Sequence, residues 1–215
     1  MKRVNVLLIS LVYLLLAFSS SCTTAQVVVR DVDGDILRSD ARYFVVSPLQ
    51  SAGGIRRGQD GAGDANFMCP SQVVQVMQKM GDIQKDKGIS VYFKPKAAEQ
   101  VEITESTSLN IEFSDGNVCN NTVWEVEGYP GTYENPALLS TNGVTGNPST
   151  WFQIKKFNAG GLDAYMLVFC LNDEETCTEV LINYFHGQNH LAVKLGYKLP
   201  VLFFKDNGYG INSII

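Results

Sequence analysis

Apolar and polar residues alternate along this chain with a period of two, in short runs broken by turn residues. Leu109, Ile111 and Phe113 alternate with Asn110 and Glu112, Leu191, Val193 and Leu195 with Ala192 and Lys194, and Ile89, Val91 and Phe93 with Ser90 and Tyr92. Successive side chains of a strand point to opposite faces, so each run reads as a half-buried strand. Further β-branched or aromatic runs begin near Val27, Tyr43, Val73, Val101, Val123, Trp151, Tyr165, Val180 and Val201, giving about a dozen strands. Asp33-Gly34, Asp115-Gly116 and Asn142-Gly143 supply turns between them. Helical spacing is confined to Val76, Met80 and Ile83, where Gly81 and Gly88 interrupt. The pattern predicts an all-β sandwich or barrel. Two glycine-bearing stretches, Ala52–Gly63 and Gly128–Pro148, are expected to be long surface loops.

The N-terminus carries a second constraint. Lys2 and Arg3 precede Val6–Phe18, an apolar run of 13 residues interrupted only by Ser10. A membrane span needs roughly 20 residues, so the run fits the apolar centre of a signal peptide. Thr23 and Ala25 place small residues at −3 and −1, which predicts cleavage of residues 1–25 before Gln26. The rival readings are an uncleaved anchor and a lipoprotein tethered through Cys22, the latter disfavoured by Ser19 where a bulky aliphatic is wanted. The expected product, residues 26–215, suits one domain. It is expected to be secreted, with the apoplast preferred and the vacuole as the alternative. No later segment is long and apolar enough to hold it to a membrane. The leader removes two of 17 basic and none of 22 acidic residues, leaving a net charge of about −7. That balance argues against a nucleic-acid partner and is compatible with a monomer.

Cleavage also leaves four of the five cysteines: Cys69, Cys119, Cys170 and Cys177. In an oxidising compartment an even count reads as two disulfides, with three pairings possible. Cys170 and Cys177 flank the polar turn LNDEET and favour a local pair, which leaves Cys69 for Cys119.

Motifs for metal or catalysis fail on inspection. Asp31, Asp33 and Asp35 resemble the opening of a calcium loop, but Gly34 falls two places early and Arg42 stands where a bidentate Glu is required. His186 and His190 are four apart, yet their context reads strand–turn–strand, so surface turn histidines are expected. No nucleophile elbow, phosphate-binding loop or dinucleotide fingerprint is present, so neither metal, cofactor nor enzymatic activity is expected. Asn120-Asn121-Thr122 is a glycosylation sequon with Asn120 as acceptor. Lys155 and Lys156 point to opposite strand faces and make no basic patch, and Trp124 and Trp151 are expected to pack in the barrel or its cap.

Six stretches taken in order carry a resemblance. VRDVDGDILRSDARYFVVSP starts at Val29, CPSQVVQV at Cys69 and ITESTSLNIEFS at Ile103; CNNTVWEV follows from Cys119, WFQIKKF from Trp151 and YMLVFC ends at Cys170. With this four-cysteine layout the chain resembles the plant Kunitz-type family, soybean trypsin inhibitor-like and miraculin-like. The resemblance implies a β-trefoil of twelve strands in three pseudo-equivalent units, with disulfides Cys69–Cys119 and Cys170–Cys177. It also implies inhibition of a secreted endopeptidase, of the serine class or alternatively the cysteine class, through one exposed substrate-like loop.

The loop implied by the resemblance runs between strands ending near Phe93 and beginning near Val101: Lys94, Pro95, Lys96, Ala97, Ala98, Glu99 and Gln100. Its P1 residue, whose carbonyl the protease attacks, falls on Ala97 counting forward from Pro95 and on Glu99 counting back from Leu109. Neither side chain pairs with the acid of a trypsin pocket; Lys96 would, were the loop to slide. Where the family braces this loop with an Asn, Ser39 stands here. The expectation is an inhibitor of shifted specificity, weak toward trypsin. The alternatives are a non-inhibitory, miraculin-like defence or ligand-binding protein and a storage protein.

Overall fold

In the computed structural model of the protein, residues 26–58, 69–78, 85–132, 135–159, 162–173 and 177–208 are described. The leader 1–25 lies outside them. Thirteen strands follow in chain order: β1 (Tyr43–Val46), β2 (Ala52–Gly58), β3 (Gln72–Met77), β4 (Val91–Pro95), β5 (Leu109–Phe113), β6 (Glu125–Val126) and β7 (Ala137–Ser140). They continue with β8 (Phe152–Ala159), β9 (Leu162–Phe169), β10 (Thr178–Phe185), β11 (Gln188–Val193), β12 (Tyr197–Lys198) and β13 (Leu202–Lys205). Among the described residues the helical structure is two short 3-10 turns, Pro148–Thr150 and Leu171–Asp173.

The strands form a closed path. It runs β10-β9-β8-β5-β4-β1-β2-β3-β11, and β11 pairs back onto β10. Closure removes the exposed edges that an open sheet of this length would carry. The hairpins β2–β3, β6–β7 and β10–β11 meet at one end, where β3, β7 and β11 each pair with the other two. Three hairpins in mutual contact give the pseudo-threefold cap of a β-trefoil, as expected. The inward faces fill the barrel with aromatic rings, among them Phe93 edge-on to Phe203 at 5.4 Å and Phe113 to Trp124 at 5.3 Å.

Both stretches expected to be surface loops contain strands. Ala52–Gly58 is β2, with Gly53, Gly54 and Ile55 buried, because its glycines mark places where other chain segments press close. A Cβ on Gly54 would overlap the Lys87 carbonyl. Ala137–Ser140 is β7, within the cap, with Leu139 and Ser140 fully buried. The histidines separate. His186 and Gly187, with φ of 46° and 80°, turn the β10–β11 hairpin as the sequence suggested. His190, expected at the surface, is a buried β11 residue set edge-on to Phe185 at 6.0 Å. The runs at Val27 and Val101 make isolated bridges rather than strands, and the run at Val123 makes a bridge followed by β6.

Both disulfides form as expected, with Cα separations of 5.6 Å for Cys69–Cys119 and 4.4 Å for Cys170–Cys177. Asp31–Asp35 is a turn. Asp31 Oδ1 accepts the Asp33 and Asp35 N–H groups at 3.0 and 2.9 Å, leaving that oxygen committed to the backbone.

Candidate functional site

The candidate loop rises from the β4–β5 ladder. Registers run from Val91 opposite Phe113 to Pro95 opposite Leu109, so β4 ends two residues later than the sequence suggested. Lys94 and Pro95 therefore belong to the strand, and Pro95 is tolerated there because the next residue, Lys96, is the ladder donor, so position 95 is a non-bonded one whose N–H would face away from β5. The ladder's last bond is Lys96 N–H to the Ser108 carbonyl, 2.9 Å. Beyond it Ala97–Gln100 is a turn closed by Gln100 N–H donating to the Ala97 carbonyl at 2.9 Å. Lys96, Ala97, Ala98 and Glu99 are exposed and Gln100 is half-buried.

The wall behind the loop comes from the N-terminal segment. Bridges Val28–Thr104 and Arg38–Glu102 lay residues 28–38 alongside 102–104. This brings Ser39 to the loop's C-terminal end, where its N–H donates to Val101 O at 2.8 Å and its Oγ to Gln100 O at 3.2 Å. The Lys94 ammonium returns a bond to Ser39 O at 3.3 Å. Ser39 is flanked by the Arg38–Asp40 ion pair, 3.0 Å, whose hydrogen bonding holds the Asp40 carboxyl below its ordinary range and raises Arg38. Tyr43, its hydroxyl pushed up by burial, accepts the Arg38 N–H at 3.0 Å and fixes the start of this segment. On the loop's far side Gln100 Nε2 donates to Glu102 O at 2.9 Å and Thr104 Oγ1 at 3.2 Å.

Both lysines lie against rings: Lys94 Nζ is 4.5 Å from the Tyr92 centroid and Lys96 Nζ 5.5 Å from that of Trp151. Trp124 is fully buried, while Trp151 is half-buried beside the loop. The Trp151 contact carried no sequence signal, because residues so far apart in the chain are brought together here by the β5–β8 pairing.

A second loop, Ser114–Asn121, carries the sequon and one half of the long disulfide. Asn120 is exposed beside the buried Cys119. Beneath it Arg57 of β2 makes a two-pronged ion pair with Asp115, at 2.7 and 2.9 Å. Arg57 also donates to Thr141 Oγ1 at 2.8 Å and to Asn121 O at 2.6 Å, and its guanidinium lies 5.2 Å from the Phe113 centroid. No sequence signal pointed to this network, since Arg57 lay in a stretch read as loop.

The fold is a closed β-trefoil with a short exposed loop off the β4–β5 strand pair, and no cluster of three or more metal-ligating residues occurs among those described. The chain belongs to the legume Kunitz family of trypsin and protease inhibitors, whose sequence model matches residues 29–205. Miraculin from Synsepalum dulcificum is 32% identical over 162 residues, covering 70% of this chain and 69% of the relative. Cysteine protease inhibitor 10 from Solanum tuberosum is 29% identical, covering 82% and 93%. Among solved structures, soybean trypsin inhibitor in complex with porcine pancreatic trypsin superposes with a TM-score of 0.66 at 25% identity, covering 84% and 99%. Members of this family are protease inhibitors rather than enzymes. Among the described residues no helix is long and apolar enough to cross a membrane.

Proposed function

We propose that the chain is a secreted endopeptidase inhibitor that presents residues 94–100 to its target as a substrate-like loop, with a non-basic P1 that makes trypsin a poor target. The observation carrying this reading is the exposed tip Lys96–Glu99, tied at one end to Ser108 and at the other to Ser39. A loop already ordered loses little conformational entropy on docking, and preorganisation of this kind separates an inhibitor from a substrate. A serine protease is the favoured partner, as for the soybean relative bound to trypsin; the potato relative supports the cysteine class as the alternative. Miraculin's similarity supports a second, non-inhibitory reading. The proposal includes removal of residues 1–25, a single-domain monomer from Gln26 to Ile215, and a glycan on exposed Asn120.

Oxidised protein beginning at Gln26 is titrated against trypsin, chymotrypsin, elastase, subtilisin and papain. The expected outcome is stoichiometric inhibition of a non-tryptic enzyme, with one slow cut inside residues 94–100 located by mass spectrometry. Rapid cleavage of that segment with no inhibition of any enzyme would transfer the chain to the non-inhibitory reading.

A further inference from the structure

The main-chain hydrogen bonds of the loop distinguish between its residues. A protease binding a substrate-like segment pairs with backbone groups around the scissile bond and draws the P1 carbonyl into its oxyanion hole. A residue whose own N–H or C=O is already committed inside the inhibitor is a poor P1. Lys96 fails this test because its N–H is bonded to Ser108 O. Ala97 fails because its carbonyl accepts Gln100 N–H, and Gln100 fails because its N–H is spent there and its carbonyl accepts Ser39 Oγ. Among the described residues of the exposed tip, Ala98 and Glu99 alone have both groups outside these bonds. Burying the Glu99 carboxylate in a pocket without a cation is costly, whereas Ala98 carries one methyl group.

We infer that Ala98–Glu99 is the bond offered to the protease, with Ala98 at P1, and that the target is a serine protease with a small apolar S1 pocket of the elastase kind. The inference deepens, and rests on, the inhibitor reading above. It places P1 between the two positions reached by counting along the sequence. It also assigns a purpose to the turn. When the protease serine oxygen bonds to the Ala98 carbonyl carbon, the C–N bond to Glu99 breaks and the released nitrogen takes the serine's proton. The Ala97–Gln100 bond spans that break, while Ser108 and Ser39 hold the flanking residues, so the new amine stays beside the acyl carbon. Reversal then competes with water, because the two ends react as if intramolecular. The same bonds keep Lys96 in the strand register with its ammonium near Trp151, away from the position that fills S1.

The test compares arginine substitutions at three adjacent sites, with elastase and trypsin as probes. Ala98→Arg is expected to improve trypsin inhibition about 100-fold, the worth of a buried charge pair, with the trypsin cut mapping after residue 98. Ala97→Arg and Glu99→Arg are expected to gain at most about tenfold. Ala98→Phe is an independent check on the same exposed site and should transfer inhibition to chymotrypsin. A larger gain from Ala97→Arg or Glu99→Arg, or an elastase cut in the unaltered protein at another bond of 96–100, overturns the assignment while leaving the inhibitor reading standing. Rapid elastase cleavage at Ala98–Glu99 without inhibition does the reverse, sustaining the presented bond and removing the inhibitor. Inhibition with no cut anywhere in 96–100 overturns the assignment.

Discussion

The loops Ser114–Asn121 and Lys96–Gln100 lie at opposite ends of the β4–β5 ladder, the first following β5 and the second β4, and they are held by different means. The first is anchored from beneath by a buried guanidinium, Arg57, and from the side by the Cys69–Cys119 disulfide. The second is held by uncharged hydrogen bonds: the ladder bond, the turn bond, those of Ser39 to Gln100 and Val101, and those of the Gln100 amide. The chain's strongest local constraints therefore serve the part with no proposed contact to a protease. The difference teaches how a barrel of this kind divides its work: the disulfide loop protects the frame, and the candidate loop is kept just ordered enough to be presented.

Removing the disulfides tests the frame most severely. Cys69→Ser with Cys119→Ser opens a loop of 50 residues and is expected to cost about 4 kcal/mol on the chain-entropy account. The corresponding double substitution at Cys170 and Cys177, only 7 apart, is expected to cost about 2.4 kcal/mol. Chemical denaturation of the two variants measures both, and equal losses would show that crosslink length is not what matters here. Arg57→Met comes next. It strands Asp115 and leaves the Asn121 and Thr141 acceptors without their donor, for about 3 kcal/mol, the low end for a buried pair because Asp115 retains 19% exposure. If the two loops are independent, the folded fraction of Arg57→Met inhibits with undiminished strength.

Ser39 is the corresponding test for the candidate loop. Its hydroxyl makes one bond to Gln100 O, so Ser39→Ala is expected to quicken hydrolysis inside 96–100 about fivefold, the worth of roughly 1 kcal/mol. Ser39→Asn offers two amide donors on a longer arm and is expected to slow it by a similar factor. Both are read from the cleavage rate at fixed protease. Matching rates in all three proteins would mean that the Ser39 side chain does not order the loop, leaving that to the ladder, the turn bond and the Gln100 amide.

How much of this was legible in the sequence follows from the range of each interaction. The period-two runs reported the strands because alternation is local, and Cys170–Cys177 was legible because its polar turn is local too. β2 was missed because its glycines, Gly53 and Gly54, mimic loop composition; only the Lys87 backbone pressing on them shows why they sit in a strand. His190 was misplaced for a similar reason, since burial beside Phe185 depends on a hairpin partner rather than on its neighbours in sequence. The candidate loop and Ser39 came from the family resemblance. The turn bond from Gln100 to Ala97 came from neither, since AAEQ has no glycine, proline, Asn or Asp to announce a turn.

The smallest expected effect lies beside Ser39 and separates charge from hydrogen bonding at that wall. Arg38 donates to both Asp40 oxygens at 3.0 Å, and those bonds foremost hold the Asp40 carboxyl below its ordinary range. A depressed carboxyl supports the folded state above its unfolded pKa, near 3.9 for Asp, and the support is lost as pH falls through the lower folded value. Carbon NMR of the Asp40 carboxyl should therefore give a midpoint below that of an unpaired aspartate, and Arg38→Gln should return it to the ordinary range. Because both side chains are about half exposed, salt near 1 M, where the screening length is about 3 Å, should erase most of the depression. The Ser39 bond is half-buried and uncharged, so the cleavage ratio between Ser39→Ala and the unaltered protein should persist in the same salt. A ratio that collapsed with salt would mean that Ser39 holds the loop through the Arg38–Asp40 pair rather than through its own hydroxyl.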